Sequence, residues 1–213
     1  KKSENYQHGA DEFHGVGGEL SVEERRVNFE ILDAWRDAAE ACGIPKISEF
    51  NRGDNFGNAY FQMNQRSGTR CSGARAFLRP AMHRANLTVL TETHVQKLNF
   101  KENDSATHCT SVTVRTRGGV ETFSVRKEVI LSAGTIGSPQ ILQVSGIGNS
   151  EHLQEFGIKP VHQLPGVGEN LQDHLQVRTI YKVENTVTLN QRFNSLTGKA
   201  WMGLEYLLFK RGP

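Results

Sequence analysis

The stretch that most constrains the fold begins with an apolar run that is followed at once by small residues. Residues 129–131, Val-Ile-Leu, predict a strand that is buried on both faces. The next three side chains, Ser132, Ala133 and Gly134, are small enough to let another molecule approach the backbone closely. The chain is therefore expected to place a buried strand beside an open backbone turn.

Helix signals follow this turn. Ser138 is predicted to act as an N-cap, with Pro139 at the first helical position, and Gly146 is predicted to close the helix. A strand that ends in glycine and leads into a capped helix is typical of α/β proteins that hold a dinucleotide at the carboxyl edge of a sheet.

The first eighty residues predict two helices and a strand. Ser21 and Glu24 match a capping box, and apolar residues continue at helical spacing up to Gly43. Residues 57–66 alternate between apolar and polar side chains and predict a strand, and a second helix is predicted from Ser72.

The remaining patterns are a β-rich middle and a more helical end. Strands are predicted at 87–90 and 94–99, and a hairpin at 109–117 and 120–126 with Gly118 and Gly119 as its two-residue loop. Beyond the apolar run, Ser150 is predicted to cap a helix at 151–156 that Gly157 ends, before a strand at 176–183 and a helix at 197–209. The predicted fold class is mixed α/β.

Composition and motifs exclude several classes of protein. The formal net charge of +2 comes from interleaved signs, so no nucleic-acid partner is indicated. No apolar run approaches the roughly 20 residues of a membrane span, so membrane association is not indicated. The eight histidines and three cysteines show no metal-ligand spacing, and no serine-hydrolase elbow or phosphate-binding P-loop occurs. An odd number of cysteines fits a reducing compartment and predicts a cytoplasmic protein.

Four passages resemble, in order and spacing, those of the glucose–methanol–choline (GMC) family of flavin-dependent alcohol oxidoreductases. They are residues 14–22 (His-Gly-Val-Gly-Gly-Glu-Leu-Ser-Val), 70–80 with 86–89 (Arg-Cys-Ser-Gly-Ala-Arg-Ala-Phe-Leu-Arg-Pro, then Asn-Leu-Thr-Val), 129–148, and 164–174 (Leu-Pro-Gly-Val-Gly-Glu-Asn-Leu-Gln-Asp-His). Several motifs in register are a far more specific signal than one glycine motif.

The resemblance implies FAD as cofactor and an alcohol as the small-molecule substrate. It assigns residues 1–80 and 173–213 to portions of a substrate domain, and residues 81–172 to a portion of the FAD domain. The family's amino-terminal Gly-x-Gly-x-x-Gly unit and its carboxyl-terminal catalytic histidine have no counterpart in the sequence. The chain is therefore expected to be a central fragment with no catalytic residue of its own. It should depend on the amino- and carboxyl-terminal segments of the same enzyme as partners, and be inactive alone.

Six positions match functional positions of the family. The resemblance places the backbone of Val95 against the FAD adenine, and the backbone of Ser132, Ala133 and Gly134 against the same cofactor. It places His174 and Gln176 near the substrate cavity.

The sequence leaves the substrate open. Choline-oxidising relatives carry glutamate where this chain has Gln176, and a neutral amide offers no net charge to a quaternary ammonium. That difference favours a neutral primary alcohol over choline, which stays an alternative. The alternative to an enzyme is a non-catalytic module, which would bind a nucleotide or a partner through the Gly134 turn.

Overall fold

The computed structural model describes residues 1–103 and 106–211, and within them it confirms the mixed α/β class. The strands are β1 Glu4–Tyr6, β2 Leu20–Val22, β3 Gln65–Arg66, β4 Thr69–Arg70, β5 His94–Asn103, β6 Ala106–Thr116, β7 Gly119–Ser124, β8 Ile147–Gly148 and β9 His162–Gln163. The helices are α1 Glu30–Ala41, α2 Arg79–Ala81, α3 Gly134–Val144, α4 Ser150–Glu155, α5 Leu189–Asn194 and α6 Leu196–Phe209, with a π-helical turn at Ala74–Leu78. In the described part of the chain, no helix is both long and apolar enough to cross a membrane.

The chain divides into two compact units. The first unit combines Lys1–Thr88 with the residues from Ile180 onward, and the second unit is Val89–Thr179. The sequence-based boundaries at residues 80 and 172 fall eight and seven residues before these divisions. The assignment of one unit to the alcohol and the other to the flavin stays a prediction.

The first unit begins with the parallel pair β1–β2, in which Glu4 lies opposite Leu20 and Tyr6 opposite Val22. The predicted capping box is wrong, because Ser21 lies within β2. Its hydroxyl accepts a hydrogen bond from Arg66 Nε at 2.9 Å, and Glu23 forms an antiparallel bridge to Met63. Helix α1 starts only at Glu30, after Phe29 in the N-cap position. Long-range pairing with the 63–66 segment thus overrides the local helix signal.

Other predictions for the first unit have mixed outcomes. Of the strand expected at 57–66, only Gln65–Arg66 and isolated bridges at Asn58 and Met63 form. The expected helix after Ser72 is present as the π-helical turn and α2. The helix expected at 197–209 is confirmed as α6.

A buried histidine lies at the centre of the first unit. His14 is only 3% exposed, with Nδ1 3.0 Å from Glu4 Oε1 and Nε2 2.7 Å from Glu49 Oε1. Its ring stacks on Tyr6 with 4.0 Å between ring centroids, and Arg52 Nε lies 2.8 Å from the same Glu49 oxygen. Burial alone would lower the pKa of His14, but the hydrogen bonds with the two carboxylates outweigh it and raise that pKa above 6.5.

The same contacts act on the two carboxylates. Burial would raise the pKa of Glu4 and of Glu49, yet hydrogen bonds from His14 lower both pKa values below 4.5. Because both ring nitrogens face carboxylate oxygens, which only accept, the protonated ring can donate one hydrogen bond to each carboxylate. Because Glu4 Oε2 also accepts from the N–H of Gly15 at 2.8 Å, this cluster anchors the 7–19 loop.

The second unit is built on the three-stranded antiparallel sheet β5–β6–β7, in which β5 is an edge strand. The predicted hairpin is confirmed, with its loop shifted by one residue. Thr116 pairs with Gly119, so the loop is Arg117-Gly118, and Gly119 takes a φ of 126° as the first residue of β7. The strand expected at 94–99 is confirmed and extends to Asn103, whereas residues 87–90 form no strand.

The apolar run at 129–131 differs from its prediction. It forms no strand, and Ile130 is 80% exposed. A strand needs neighbours that accept and donate its backbone hydrogen bonds, and no named strand of the described residues pairs with this run. The prediction of a buried strand is therefore wrong for this structure, and the same reason applies to residues 176–183, which are also irregular.

Helix α3 starts five residues earlier than predicted. Ala133 is its N-cap residue, Gly134 is its first residue and Pro139 lies inside it. The Ser138 hydroxyl still serves the helix start, because it accepts a hydrogen bond from the N–H of Ala133 at 3.0 Å. Gly146 ends the helix as predicted, with φ 89°, and an added Cβ there would lie 2.6 Å from the carbonyl oxygen of Lys159.

Helix α4 shows a similar shift by one residue. Asn149, and not Ser150, is its N-cap, since its side chain accepts from the N–H groups of Glu151 and His152. Gly157 follows the helix with φ 70°, as predicted. Leu153 of this helix is 1% exposed and forms the apolar centre of this part of the unit.

Candidate cofactor site

Two of the predicted cofactor residues line one cleft of the second unit. The cleft has a volume of about 590 Å³ and lies where α3 packs against β5. Its lining includes Val95, Gln96, Arg115, Ala133, Gly137 and Gln140. The structure thus brings Val95 and Ala133 together although they are far apart in the sequence.

The strand side of the cleft follows from the position of β5 at the sheet edge. Val95 lies opposite Val114, and the register then shifts between Val95 and Lys97, which leaves Gln96 as an extra residue on β5. An edge strand with a bulge presents backbone N–H and C=O groups that the sheet does not use. Backbone recognition of a ligand by Val95 is therefore compatible with this strand.

Helix α3 begins with open backbone beside the cleft, where Ala133 is a lining residue and its neighbours Ser132 and Gly134 are not. Ser132, Ala133 and Gly134 are exposed, Gly134 has φ 83°, and no heavy atom lies within 4 Å of where its Cβ would be. The first N–H groups of a helix have no partners within the helix, and they carry partial positive charge. Small side chains here leave those groups accessible.

These residues fit a dinucleotide cofactor such as FAD. The two sides of the cleft combine backbone hydrogen-bonding groups, a helix start that favours anions, and the guanidinium of Arg115. The adenosine and pyrophosphate parts of a dinucleotide require flat apolar contact, hydrogen-bonding groups and positive potential. The residues that line and flank this cleft supply all three.

A second cleft, also of about 590 Å³, lies on another side of α3, against residues 166–172. The side-chain amide of Gln143 donates to the carbonyl oxygen of Val167 at 3.2 Å, and an added Cβ at Gly168 would lie 2.8 Å from Gln143 Nε2. The φ of 86° at Gly168, a conformation that favours glycine, explains why glycine stands in this loop. The loop carries the chain toward His174.

The two predicted substrate residues lie on an exposed, irregular segment. The N–H of His174 donates to Asp173 Oδ1 at 2.8 Å, and the side chains of His174 and Gln176 are exposed. Neither is among the residues that line the cleft with Val95. Their role at a substrate cavity stays a prediction.

Sequence reasoning missed several residues of the site. Arg115 and Gln140 line the cleft, but the first is one of many arginines on a strand and the second is one polar residue on a helix. Their only sequence signal is the alternation along β6 and the helical spacing along α3. Such periodicity shows on which face of the element a residue lies, but not which other element packs against that face.

Comparison with known proteins decides the family. A family model described as GMC oxidoreductase matches residues 2–176. The chain belongs to the GMC oxidoreductase family. The resemblance stated from the four motifs is thereby confirmed.

Individual relatives agree with the family assignment. This GMC chain is 39% identical over 202 residues to an "Oxygen-dependent choline dehydrogenase" of Staphylococcus saprophyticus, covering 95% of the chain and 35% of the relative. The crystal structure of pyridoxine 4-oxidase from Mesorbium loti matches with a TM-score of 0.73 and 31% identity, over 81% of this chain and 33% of that one. A fungal aryl-alcohol oxidase matches 100% of this chain and 38% of its own with a TM-score of 0.84 at 23% identity, which shows the shared fold.

The GMC chain spans about a third of the length of the curated relatives that it matches. Its α/β fold is shared with these two solved structures.

Proposed function

We propose that this chain forms part of the FAD site and part of the substrate domain of a GMC oxidoreductase that oxidises primary alcohols to aldehydes. The observation that carries the proposal is the family match over residues 2–176, together with the single cleft that Val95 and Ala133 line. Bound FAD would be the acceptor of the hydride that leaves the alcohol carbon. The partners of the chain are the remaining segments of the same enzyme.

The residues of this chain have binding roles in the proposal. The backbone N–H and C=O of Val95 hold the adenine at the edge of β5. The backbone of Ser132, Ala133 and Gly134 lies against the cofactor, and their small side chains keep that approach open. His174 and Gln176 face the alcohol, and the proton of its hydroxyl is accepted by a group outside this chain.

The test of cofactor binding uses the full-length protein that contains this sequence. Ala133→Leu fills the cleft from an exposed position, so we expect FAD occupancy, measured from the visible flavin absorption, to fall at least about tenfold. Ala10→Leu, at an exposed position of the first unit, is the matched control and should keep its flavin. Wild-type protein without flavin would instead favour a non-catalytic nucleotide- or partner-binding module. Equal occupancy in both variants would exclude this cleft as the FAD site.

Choline is a second candidate substrate, because the Staphylococcus saprophyticus relative is named for choline. We propose that Gln176 disfavours it, since an amide cannot balance the charge of a quaternary ammonium. A lost close charge pair costs on the order of 1–3 kcal/mol, or about 5- to 150-fold in specificity.

The substrate test compares kcat/KM for choline with that for 3,3-dimethyl-1-butanol, a neutral alcohol of similar shape. We expect wild type to prefer the neutral alcohol and Gln176→Glu to shift the ratio toward choline. Gln172→Glu, four residues earlier in the same exposed segment, controls for added negative charge. A wild-type preference for choline, or a ratio that Gln176→Glu leaves unchanged, would rule out this role of Gln176.

We also propose a cytoplasmic location. It is supported by Cys42, Cys71 and Cys109, which are all free thiols as expected in a reducing compartment. Fractionation of the native source would test it.

A further inference from the structure

Ser145 connects the two elements that form the proposed FAD cleft. It follows the last residue of α3 and is only 7% exposed. Its hydroxyl accepts a hydrogen bond from the backbone N–H of Leu98 in β5 at 2.8 Å, and it donates to the carbonyl oxygen of Ile141 in α3. The hydroxyl therefore joins the helix to the strand through one atom.

This contact satisfies a buried group that the sheet leaves unpaired. Because β5 is an edge strand, some of its N–H groups point away from β6. Leu98 is 7% exposed and covered by α3, so water cannot replace a lost partner for its N–H. Since the hydroxyl proton is committed to Ile141, an oxygen lone pair is directed at Leu98.

The position of this contact relates it to the cleft. Leu98 lies three residues after Val95, just beyond the bulge at Gln96. Ile141, whose carbonyl oxygen accepts the hydrogen bond from the Ser145 hydroxyl, lines the same cleft as Val95 and Ala133. A change in the distance between Ser145 and Leu98 would thus move the strand side of the cleft relative to its helix side.

We infer that Ser145 is a positioning residue for FAD: its hydroxyl fixes β5 against α3, so that Val95 and Ala133 face one cleft. The inference rests on the proposed function. Ser145 does not line the cleft, so it acts through Leu98 and Ile141 and not by contact with the cofactor.

The experiment measures FAD affinity and stability separately in the full-length protein. FAD is removed, and the Kd for added FAD is obtained from flavin fluorescence, while Tm is recorded with and without FAD. We expect Ser145→Ala to raise the Kd at least about tenfold and to reduce the increase in Tm that FAD produces. We expect Ser145→Thr, which keeps a hydroxyl, to bring the Kd back to within about threefold of wild type.

Asn149→Ala is the matched control. It removes a polar side chain that bonds two backbone N–H groups in the same unit, but at the start of α4. It should lower Tm in both states without changing the Kd for FAD. If Ser145→Ala behaves like Asn149→Ala, or if Ser145→Thr fails to restore binding, Ser145 is only structural and the inference is wrong.

Two further outcomes are distinguishable. If wild-type protein binds no FAD, the proposed function itself fails and the inference fails with it. If the Ser145→Ala apoprotein does not fold, Ser145→Cys replaces it, because a thiol is a weaker and longer acceptor. A raised Kd in folded Ser145→Cys supports the inference, and an unchanged Kd overturns it.

Discussion

The two units of the chain are stabilised in different ways at their buried centres. The first unit buries the ring of His14 between the carboxylates of Glu4 and Glu49, in addition to apolar side chains such as Cys71 and Ala76. In the second unit the centre consists of apolar side chains, Leu98, Val114 and Leu153, with the hydroxyl of Ser145 as the polar exception. The stability of the first unit should therefore depend on charge and protons as well as on packing, and that of the second mainly on volume and packing.

The largest effect is expected when the histidine is removed. His14→Ala removes the ring that contacts both the buried Glu49 and the partly exposed Glu4, and only Arg52 then remains beside Glu49, which should destabilise the first unit by about 4 kcal/mol. Amide hydrogen exchange should accelerate in β1 and β2 but stay unchanged in β5–β7. His152→Ala is the control, because His152 lies beside Glu155 at an exposed position of the second unit. Equal changes in both units would contradict the comparison.

A somewhat smaller effect, in the opposite unit, should follow from Leu153→Ala. Leu153 is 1% exposed, and its truncation leaves a cavity that costs about 3 kcal/mol. Hydrogen exchange should then accelerate in α4 and in β8, and not in β1. Leu175→Ala, at a side chain that is 98% exposed, should change little. If Leu175→Ala lowered the stability of the second unit as much as Leu153→Ala, apolar burial would not be what stabilises this unit.

The smallest effect is expected from pH alone, since a neutral ring keeps part of its contacts. His14 has a raised pKa in the fold, so its contribution is complete below 6.5 and is lost as pH rises through that raised value. Glu4 and Glu49 have lowered pKa values, so their contribution is present above 4.5 and is lost as pH falls through those values. The first unit should be most stable between these limits.

Hydrogen exchange of β1 and β2 measured from pH 4 to 9, corrected for the intrinsic rate, checks this expectation. The amides of β5–β7 serve as the internal reference. His14→Gln should remove the loss of protection on the alkaline side. A first unit whose protection does not change with pH would show that the cluster does not titrate with folding.

Local signals predicted those elements whose stability is local. The β6–β7 hairpin, α6 and the glycine end of α3 follow from alternation, helical spacing and Gly146, which act within a few residues. The strands expected at 129–131 and 176–183 were wrong because a strand also needs partners, and sequence patterning does not say whether partners are present. Ser21 misled for the same reason, since its partner Arg66 lies 45 residues away.

The candidate site could be predicted only in part. The small residues Ser132, Ala133 and Gly134 are visible as a motif, and Val95 was assigned through the family resemblance alone. That Val95 and Ala133 share a cleft depends on how α3 packs on β5, which a single sequence does not encode in any short pattern. The His14 cluster left no signal, because a histidine and two glutamates at separations of 10 and 35 residues are unremarkable.

The contact between Ser145 and Leu98 also affects association between chains. An edge strand can template pairing with a strand of another molecule, which is a common route to aggregation. At Leu98 the outward N–H of β5 is occupied by a side-chain oxygen, and α3 covers the strand there. A second strand could add to this edge only by displacing the end of α3. The same hydroxyl therefore hinders pairing of a foreign strand at the β5 edge of the sheet, whereas the exposed β7 edge lacks this protection.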